Sequence, residues 1–288
     1  MHFTIVTPSF RQLEQLECCI ASVADQEGVE VEHIVQDGGT NGFEEFAKKM
    51  AHKWPDRPGY LRVMSSGKDM GMYDAINRGF EKTKGSICAY LNCDEQYLPN
   101  TLQKVASAFQ SSSKTDIFFG DALVIDKRGN ARCWRKVLVP MVSHTWTCHF
   151  SAFTAAMFFR RRLLDDGICF DTSYRAAADA AWYLEARKRG AQAESLGFLA
   201  STFVDTGENL GMTTVARQER IKLTYTASSW MRHLRPFWST LHRVRRFSFG
   251  AHRRISLTYE IYLPNSEGRA VFHAKSLRTT WPGRMLNL

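Results

Sequence analysis

The first ninety residues restrict the fold more than any other part of the chain. Four short apolar runs, "FTIV" (3–6), "VEVEHIVQ" (29–36), "YLRVMSS" (60–66) and "SICAYLN" (86–92), alternate with three stretches of helical spacing. Residues 11–25 place Leu13, Leu16, Ile20 and Val23 three or four apart, residues 43–53 read as helix, and "YDAINRGFEKTKG" reads as a helix closed by Gly85. Parallel strands need a crossover between them, and a helix is the usual one. Strand–helix alternation over this length predicts a parallel α/β sheet.

Downstream, residues 99–111 read as a further helix. "TDIFFGDALVID-KRGN-ARCWRKV" reads as a hairpin added to the sheet. "AAADAAWYLEARKR" (176–189) predicts a strong helix ended by Gly190, with a strand in "SLGFLASTFVD". From about 214 the pattern is helical and basic. The tail after 255 has strand composition but no evident partner. There are no internal repeats and no low-complexity stretch.

Ligands of open α/β sheets bind beyond the carboxyl ends of the strands. Here those ends carry Thr7, Pro8 and Ser9, then Asp37 to Gly42, then Lys68 to Asp74, and lastly Asn92, Cys93, Asp94 and Glu95. Four polar loops on one rim exceed what turns require, so the rim is the candidate site. Asp37 with Gly38 and Gly39 fits either a tight turn or a carboxylate that accepts from a base N–H while glycine lets the backbone approach a ligand. "GKDMGMYDAINRG" fits a helix start, with Asp74 favouring the N-terminus, or a ligand-facing loop carrying Lys68, Asp69 and Asp74. Neither the GxxxxGK[ST] nor the GxGxxG phosphate pattern is present.

The end of the fourth strand is the most informative point. Adjacent carboxylates repel each other, and the cost grows where water is scarce. Mg²⁺ or Mn²⁺ removes that repulsion, prefers hard oxygen ligands and keeps open positions that diphosphate oxygens can fill. Asn92 to Glu95 therefore reads as a place for a metal-bound nucleotide, the alternative being a solvated acidic turn.

With these residues in place, the chain resembles the inverting family 2 glycosyltransferases over about residues 1–215. The stretches that carry the likeness are "IVTPSFRQ", "HIVQDGGTNG", "SSGKDMGMYDAINRG", "AYLNCDE" and "FFRRRLLDDGICFDTSYRAAADAAWYLEARKRG". The resemblance implies a GT-A nucleotide-diphospho-sugar transferase fold, a mostly parallel central sheet flanked by helices, with a basic helical C-terminal appendage. It implies a nucleotide-sugar half at about 1–112, an acceptor half at about 113–215, and a basic region at 216–288. Thr7, Pro8 and Ser9 would line the nucleotide pocket and Asp37 would bind the base. Gly39, Lys68, Asp69, Asp74, Asn92 and Cys93 would complete the donor site. Asp94 would be the ligand of Mn²⁺ or Mg²⁺, Asp179 the catalytic base and His149 a residue facing the acceptor. "TGENLGMT" resembles the family's flexible segment that folds over the donor. Asn92 in place of the motif's first Asp is a departure, as are Glu95, Gln36 and Asn41.

Charge adds one feature. The 38 Lys and Arg exceed the 29 Asp and Glu by nine, and nine bases fall in the acid-free interval 220–259, so the rest of the chain is neutral. Within it Trp230, Leu234, Phe237, Leu241 and Val244 recur at helical spacing, with Pro236 at a second helix start. Three readings fit: a packed appendage with its arginines in water, a nucleic-acid surface, and an interfacial helix drawn to anionic lipid. A lipid-linked acceptor favours the last, and the acidic rim speaks against nucleic acid. Seven Cys without a CxxC pair argue against a disulfide framework and for a reducing compartment. No apolar run reaches a membrane span and the start reads without a signal peptide. The expectation is a cytoplasmic enzyme, peripheral on the inner membrane face. It would pass a sugar from a UDP-, GDP- or dTDP-sugar to a hydroxyl acceptor, with inversion, in surface polysaccharide or glycolipid assembly. The alternatives are a sugar nucleotidyltransferase, whose phosphate loop "TPSFRQ" lacks, and a nucleic-acid-binding protein with an inactive domain of this type.

Overall fold

The computed structural model describes residues 1–207 and 209–280. Its first half follows the alternation: β1 (His2–Ser9), α1 (Leu13–Ala24), β2 (Glu30–Asp37), α2 (Phe43–Lys53), β3 (Tyr60–Ser66), α3 (Met72–Glu81) and β4 (Ile87–Tyr90). β1 pairs in parallel with both β2 and β4, and β2 with β3, giving the order β3-β2-β1-β4. The order reverses between β1 and β4, which opens a crevice at their carboxyl ends.

The second half is not parallel throughout. β5 (Gln96–Tyr97), α4 (Thr101–Ser111), β6 (Ile117–Ile125), β7 (Ala131–Arg135), α5 (Val142–Thr147), β8 (Met157–Arg160), α6 (Arg162–Asp165), α7 (Ala178–Lys188) and β9 (Ala193–Val204) follow. β8 runs antiparallel to both β4 and β6, β9 parallel to β6, and β5 antiparallel to β9. The β6–β7 hairpin forms as its turn residues predict.

Both faces of the sheet are buried. Ile5, Phe3 and Phe158 pack with α1 and α4 on one side, and Val6, Phe119 and Phe159 with α3 and α7 on the other. Each such side chain contributes about 1.5–3 kcal/mol by leaving water. On the second side Trp182 of α7 stacks on Phe170 (centroids 5.3 Å apart, 12° between planes), and Phe170 on Tyr73 of α3 (5.9 Å, 10°). Asn77 bonds both backbone groups of Phe170. This column fixes α7 against α3.

Two expectations change. α3 stops at Glu81, so Gly85 is not its cap. Gly85 lies where a Cβ would come within 2.5 Å of the Thr4 hydroxyl, so close packing against β1 explains it. Among the described residues of the C-terminal region, helix is confined to α8 (Thr214–Tyr225), α9 (Ser229–His233) and α10 (Arg235–Ser248). Beyond them β10 (Ile255–Ile261) and β11 (Ala270–Leu277) form an antiparallel hairpin. Its Tyr259, Ile261 and Leu277 pack with Leu123, Ile125 and Trp134 of the β6–β7 hairpin. The tail is an added β layer on the core, not helix.

Candidate active site

Three parallel strands end level with one another, Ser9 opposite Asp37 and Asp37 opposite Ser66. The rim is built around Asp37. Its Oδ2 accepts from the Gly39 and Thr40 amides (2.9 and 2.6 Å) and the Ser66 hydroxyl (2.7 Å), and its Oδ1 from the Thr40 hydroxyl (2.6 Å). A carboxylate has about four acceptor positions. Asp37 is fully buried, and within the protein it builds the loop. Gly39, at φ +96, takes a conformation a side chain would resist. Gly38 lies so close to Asp69 that a Cβ would sit 3.0 Å from its Oδ2, so the second and third loops touch.

Asp69 accepts from the Gly71 amide (2.9 Å). Asp74 accepts from the Met70 amide (2.9 Å) and pairs with Arg78 (2.7 Å). Arg78 also donates to the Lys68 carbonyl, and the Lys68 side chain is exposed. These residues shape the loop ahead of α3.

Two expected pocket residues point elsewhere. The Thr7 hydroxyl is buried under α1, bonded to His33 Nε2 (2.9 Å) and near Cys19 Sγ (3.6 Å). Strand alternation turns it away from its neighbours Pro8 and toward β2. Cys93 packs with Leu16, Ile20 and Val35, its thiol donating to Gln12 Oε1 (3.2 Å). Burial pushes that thiol up to about 12, so it stays protonated. Both side chains are turned into the packing beneath the rim.

At the β4 end the turn closes on itself, with Glu95 Oε2 accepting from the Asn92 amide (2.9 Å). Glu95 is 2 % exposed, and burial, then the neighbouring Asp94 charge, raise it to about 8. Burial raises Asp94 as well. The Asn92 side-chain oxygen is buried with no hydrogen-bond partner. The unpartnered Asn92 side-chain oxygen and the neighbouring Asp94 and Glu95 carboxyls are all hard oxygen donors, the kind that suits Mg²⁺ or Mn²⁺. Glu95 follows Asp94 directly in this turn, although the resemblance singles out only Asp94.

Asp179 stands in the first turn of α7. Its Oδ1 accepts from the Ala180 amide (2.8 Å), and the Tyr73 hydroxyl of α3 bonds it. Burial raises it to about 6, against the opposing pull of these hydrogen bonds. The buried phenol of Tyr90, last residue of β4, feels the charges of both Asp179 and Glu95.

A residue that sequence reading passed over supports Asp179. Glu219 of α8 accepts from the Arg175 and Ala176 amides (2.6 and 2.8 Å), fixing the loop that leads into α7. Within "ARQERIK" it reads as an ordinary helix-surface glutamate, and only the fold brings it to that loop. His149 makes its ring contacts with His144 and His242, 4.6 and 5.9 Å between centroids. Of the "TGENLGMT" segment, Glu208 and the Met212 side chain lie outside the described residues; Asn209 ties the loop to the Val204 carbonyl (2.8 Å).

The family model for glycosyl transferase family 2 matches residues 4–168. A PGL/p-HBAD biosynthesis glycosyltransferase of Mycobacterium tuberculosis is 28% identical over 180 residues, 62% of this chain and 66% of that protein, just under two thirds of its length. A dolichol-phosphate mannosyltransferase of Pyrococcus furiosus is 25% identical over 136 residues, 46% of this chain and 36% of that one. Among solved structures, Staphylococcus aureus TarS 1-349 in complex with UDP-GlcNAc superposes with a TM-score of 0.61 at 16% identity, over 86% of this chain and 73% of that one. The mannosyltransferase PcManGT from Pyrobaculum calidifontis, in complex with GDP-Man and Mn²⁺, superposes at 0.55 and 12% identity, over 86% and 79%. The fold is GT-A, and the chain belongs to glycosyl transferase family 2.

Proposed function

We propose that this glycosyltransferase is inverting and metal-dependent, and that it transfers a sugar from a nucleoside-diphosphate donor to a hydroxyl acceptor. One observation supports the reading: Asp179, raised to about 6, and Glu95, in the acidic turn with Asn92 and Asp94, both act on Tyr90 at the end of β4. An inverting displacement needs these two things on opposite sides of the anomeric carbon.

Asp94 and Glu95, with Asn92 Oδ1, would hold Mn²⁺ or Mg²⁺, which supplies charge neutralisation for the departing diphosphate. Asp179 takes the acceptor hydroxyl's proton as that oxygen attacks. A base near pKa 6 is ionised at neutral pH yet still basic enough to accept the proton. Tyr73 and Glu219 keep it oriented, the first through the carboxylate and the second through the preceding loop. The nucleoside would lie on the rim formed by Pro8, Ser9, Gly38 and Gly39, ordered by Asp37, with Lys68, Asp69 and Asp74 on the adjoining loop.

A lipid-linked acceptor is the second part of the proposal. The mycobacterial relative is named for biosynthesis of PGL and p-HBAD, and the archaeal one for transfer to dolichol phosphate. α10 supports the same direction because it is packed polar side inward. His242 and Arg246 are its buried residues, whereas Phe237, Val244 and Phe247 are 54%, 54% and 77% exposed. An apolar stripe in water beside exposed Arg235 and Arg243 suits an anionic lipid surface. Residues 1–215 would hold the transferase site and 216–288 its membrane attachment. No described helix is long and apolar enough to cross a membrane.

The test is a donor panel of UDP-, GDP- and dTDP-sugars with Mn²⁺ or Mg²⁺, scored by released nucleotide for the native chain and Asp94→Asn. Release from one donor class by the native chain alone is expected. Equal release by the variant, or in EDTA, would sink the metal assignment.

A further inference from the structure

A cluster outside this site is left without a role. His144 on α5, His149 just after it, and His242 on α10 meet where α10 packs on the core. One ring nitrogen from each lies within 4.8 Å of the others. The His144 and His242 rings stack with centroids 4.1 Å apart, and His149 meets His144 edge-on at 4.6 Å. His144 and His242 are 2% and 8% exposed, and the Nδ1 atom of each is buried with no hydrogen-bond partner. Buried ring nitrogens are almost always satisfied by protein or by a bound species, and two orphans side by side point to the second.

We propose that His144, His149 and His242 form a three-histidine site for a borderline divalent transition-metal cation of the Zn²⁺ class, with a hydroxide or small anion in the fourth position. Three neutral imidazoles are the donor set such ions favour, and one that Mg²⁺ avoids. Burial holds His144 down to about 4 and His149 and His242 to about 3, so all three offer lone pairs at neutral pH. With Zn–N at about 2.0–2.1 Å, tetrahedral nitrogens sit roughly 3.3 Å apart, so binding must swing the stacked His144 and His242 rings out of their near-parallel arrangement to aim both lone pairs at one point. The surrounding charge selects the fourth ligand. Arg135, Arg220, Arg245 and Arg246 act on these rings, and the buried Asp121 carboxyl in turn feels Arg246. That cationic setting disfavours a bare dication and favours one carrying an anion.

The consequence is mechanical. The bound ion ties α10 to α5, and α5 packs through Val142 and Trp146 against Ala180 and Ala181, next to Asp179. It therefore anchors the helix with the exposed apolar stripe to the element that carries the proposed base.

The experiment uses full-length Asp94→Asn protein, so that the oxygen-rich site does not contribute. After chelator treatment the protein is titrated with Co²⁺ as a visible probe and then with Zn²⁺. One equivalent of Co²⁺ with the intense visible absorption of a tetrahedral nitrogen-ligated centre is expected, displaced by Zn²⁺. Adding His149→Ala, a partly exposed side chain whose loss the fold tolerates, should weaken binding by more than the about 10–100-fold that losing an outer-shell partner costs. His242→Ala should do the same. Absence of the tetrahedral spectrum in the Asp94→Asn protein overturns the proposal, and so does unchanged binding in the folded His149→Ala variant.

Discussion

Asp179 separates chemistry from stability at the scale of one residue. Its folded value near 6 lies above the ordinary 3.8, so the folded state binds the proton more tightly than the unfolded chain does. The stability it contributes is full below about pH 4 and is lost as pH rises through about 6. At neutral pH the ionised carboxylate therefore costs up to about 3 kcal/mol. Asp179→Asn should raise the thermal midpoint while lowering turnover about 10²–10⁴-fold, the range for a general base. A helix-capping aspartate would give the opposite stability sign, losing about 1 kcal/mol with chemistry intact. Glu95 carries a second prediction. Because it holds a proton up to about pH 8, cation binding must displace that proton. Mn²⁺ affinity measured calorimetrically should rise from about pH 6 to about pH 8 and then level off, with net proton release near neutrality. An affinity flat across that window would exclude Glu95 from the site. The acidic turn itself was legible in the sequence, because adjacent carboxylates after an apolar strand are chemically conspicuous. Which side chains face the ligand was not. Thr7 and Cys93 look like rim residues, and their burial follows from strand phase and from the packing of α1, which no local pattern reveals.

At the scale of elements, the N-terminal strands and helices follow from period and turn chemistry because each contacts its sequence neighbours. α10 does not. Its apolar spacing predicts an inward face, yet the inward face is His242 and Arg246, with Arg246 and Arg245 donating to the Lys136 and Val139 carbonyls. α10 packs on the core with Arg235 and Arg243 in water, while Arg245 and Arg246 turn toward the protein. These contacts decide which side chains can meet a membrane. Arg243 is exposed, as are Phe237 and Phe247, whereas Arg245 and Arg246 are structural. Phe237→Ser with Phe247→Ser should abolish co-flotation with anionic vesicles and leave the far-UV spectrum unchanged. Arg243→Gln should weaken it by roughly fivefold, about 1 kcal/mol for one basic residue, and salt should release the native protein. Flotation by the double serine variant equal to that of the native chain would remove α10 as the attachment.

At the scale of the molecule, function rests on contacts that join distant parts of the chain. The aromatic column Tyr73–Phe170–Trp182 sets α7 on α3, Glu219 fixes the loop before α7, and the order β3-β2-β1-β4 places the acidic turn at the switch point. The parallel half was readable from alternation; the antiparallel insertion of β8 and the C-terminal hairpin depend on long-range pairing that composition alone does not specify. The central claim is that Asp179 directs an inverting transfer from a metal-held nucleotide sugar. The measurement that tests it most directly is the anomeric configuration of the transferred sugar, read by NMR on product made with the donor the panel selects. The native chain is predicted to invert the donor's configuration, with product lost in EDTA and reduced about 10²–10⁴-fold in Asp179→Asn. Retained configuration, or full product formation by Asp179→Asn, would contradict it.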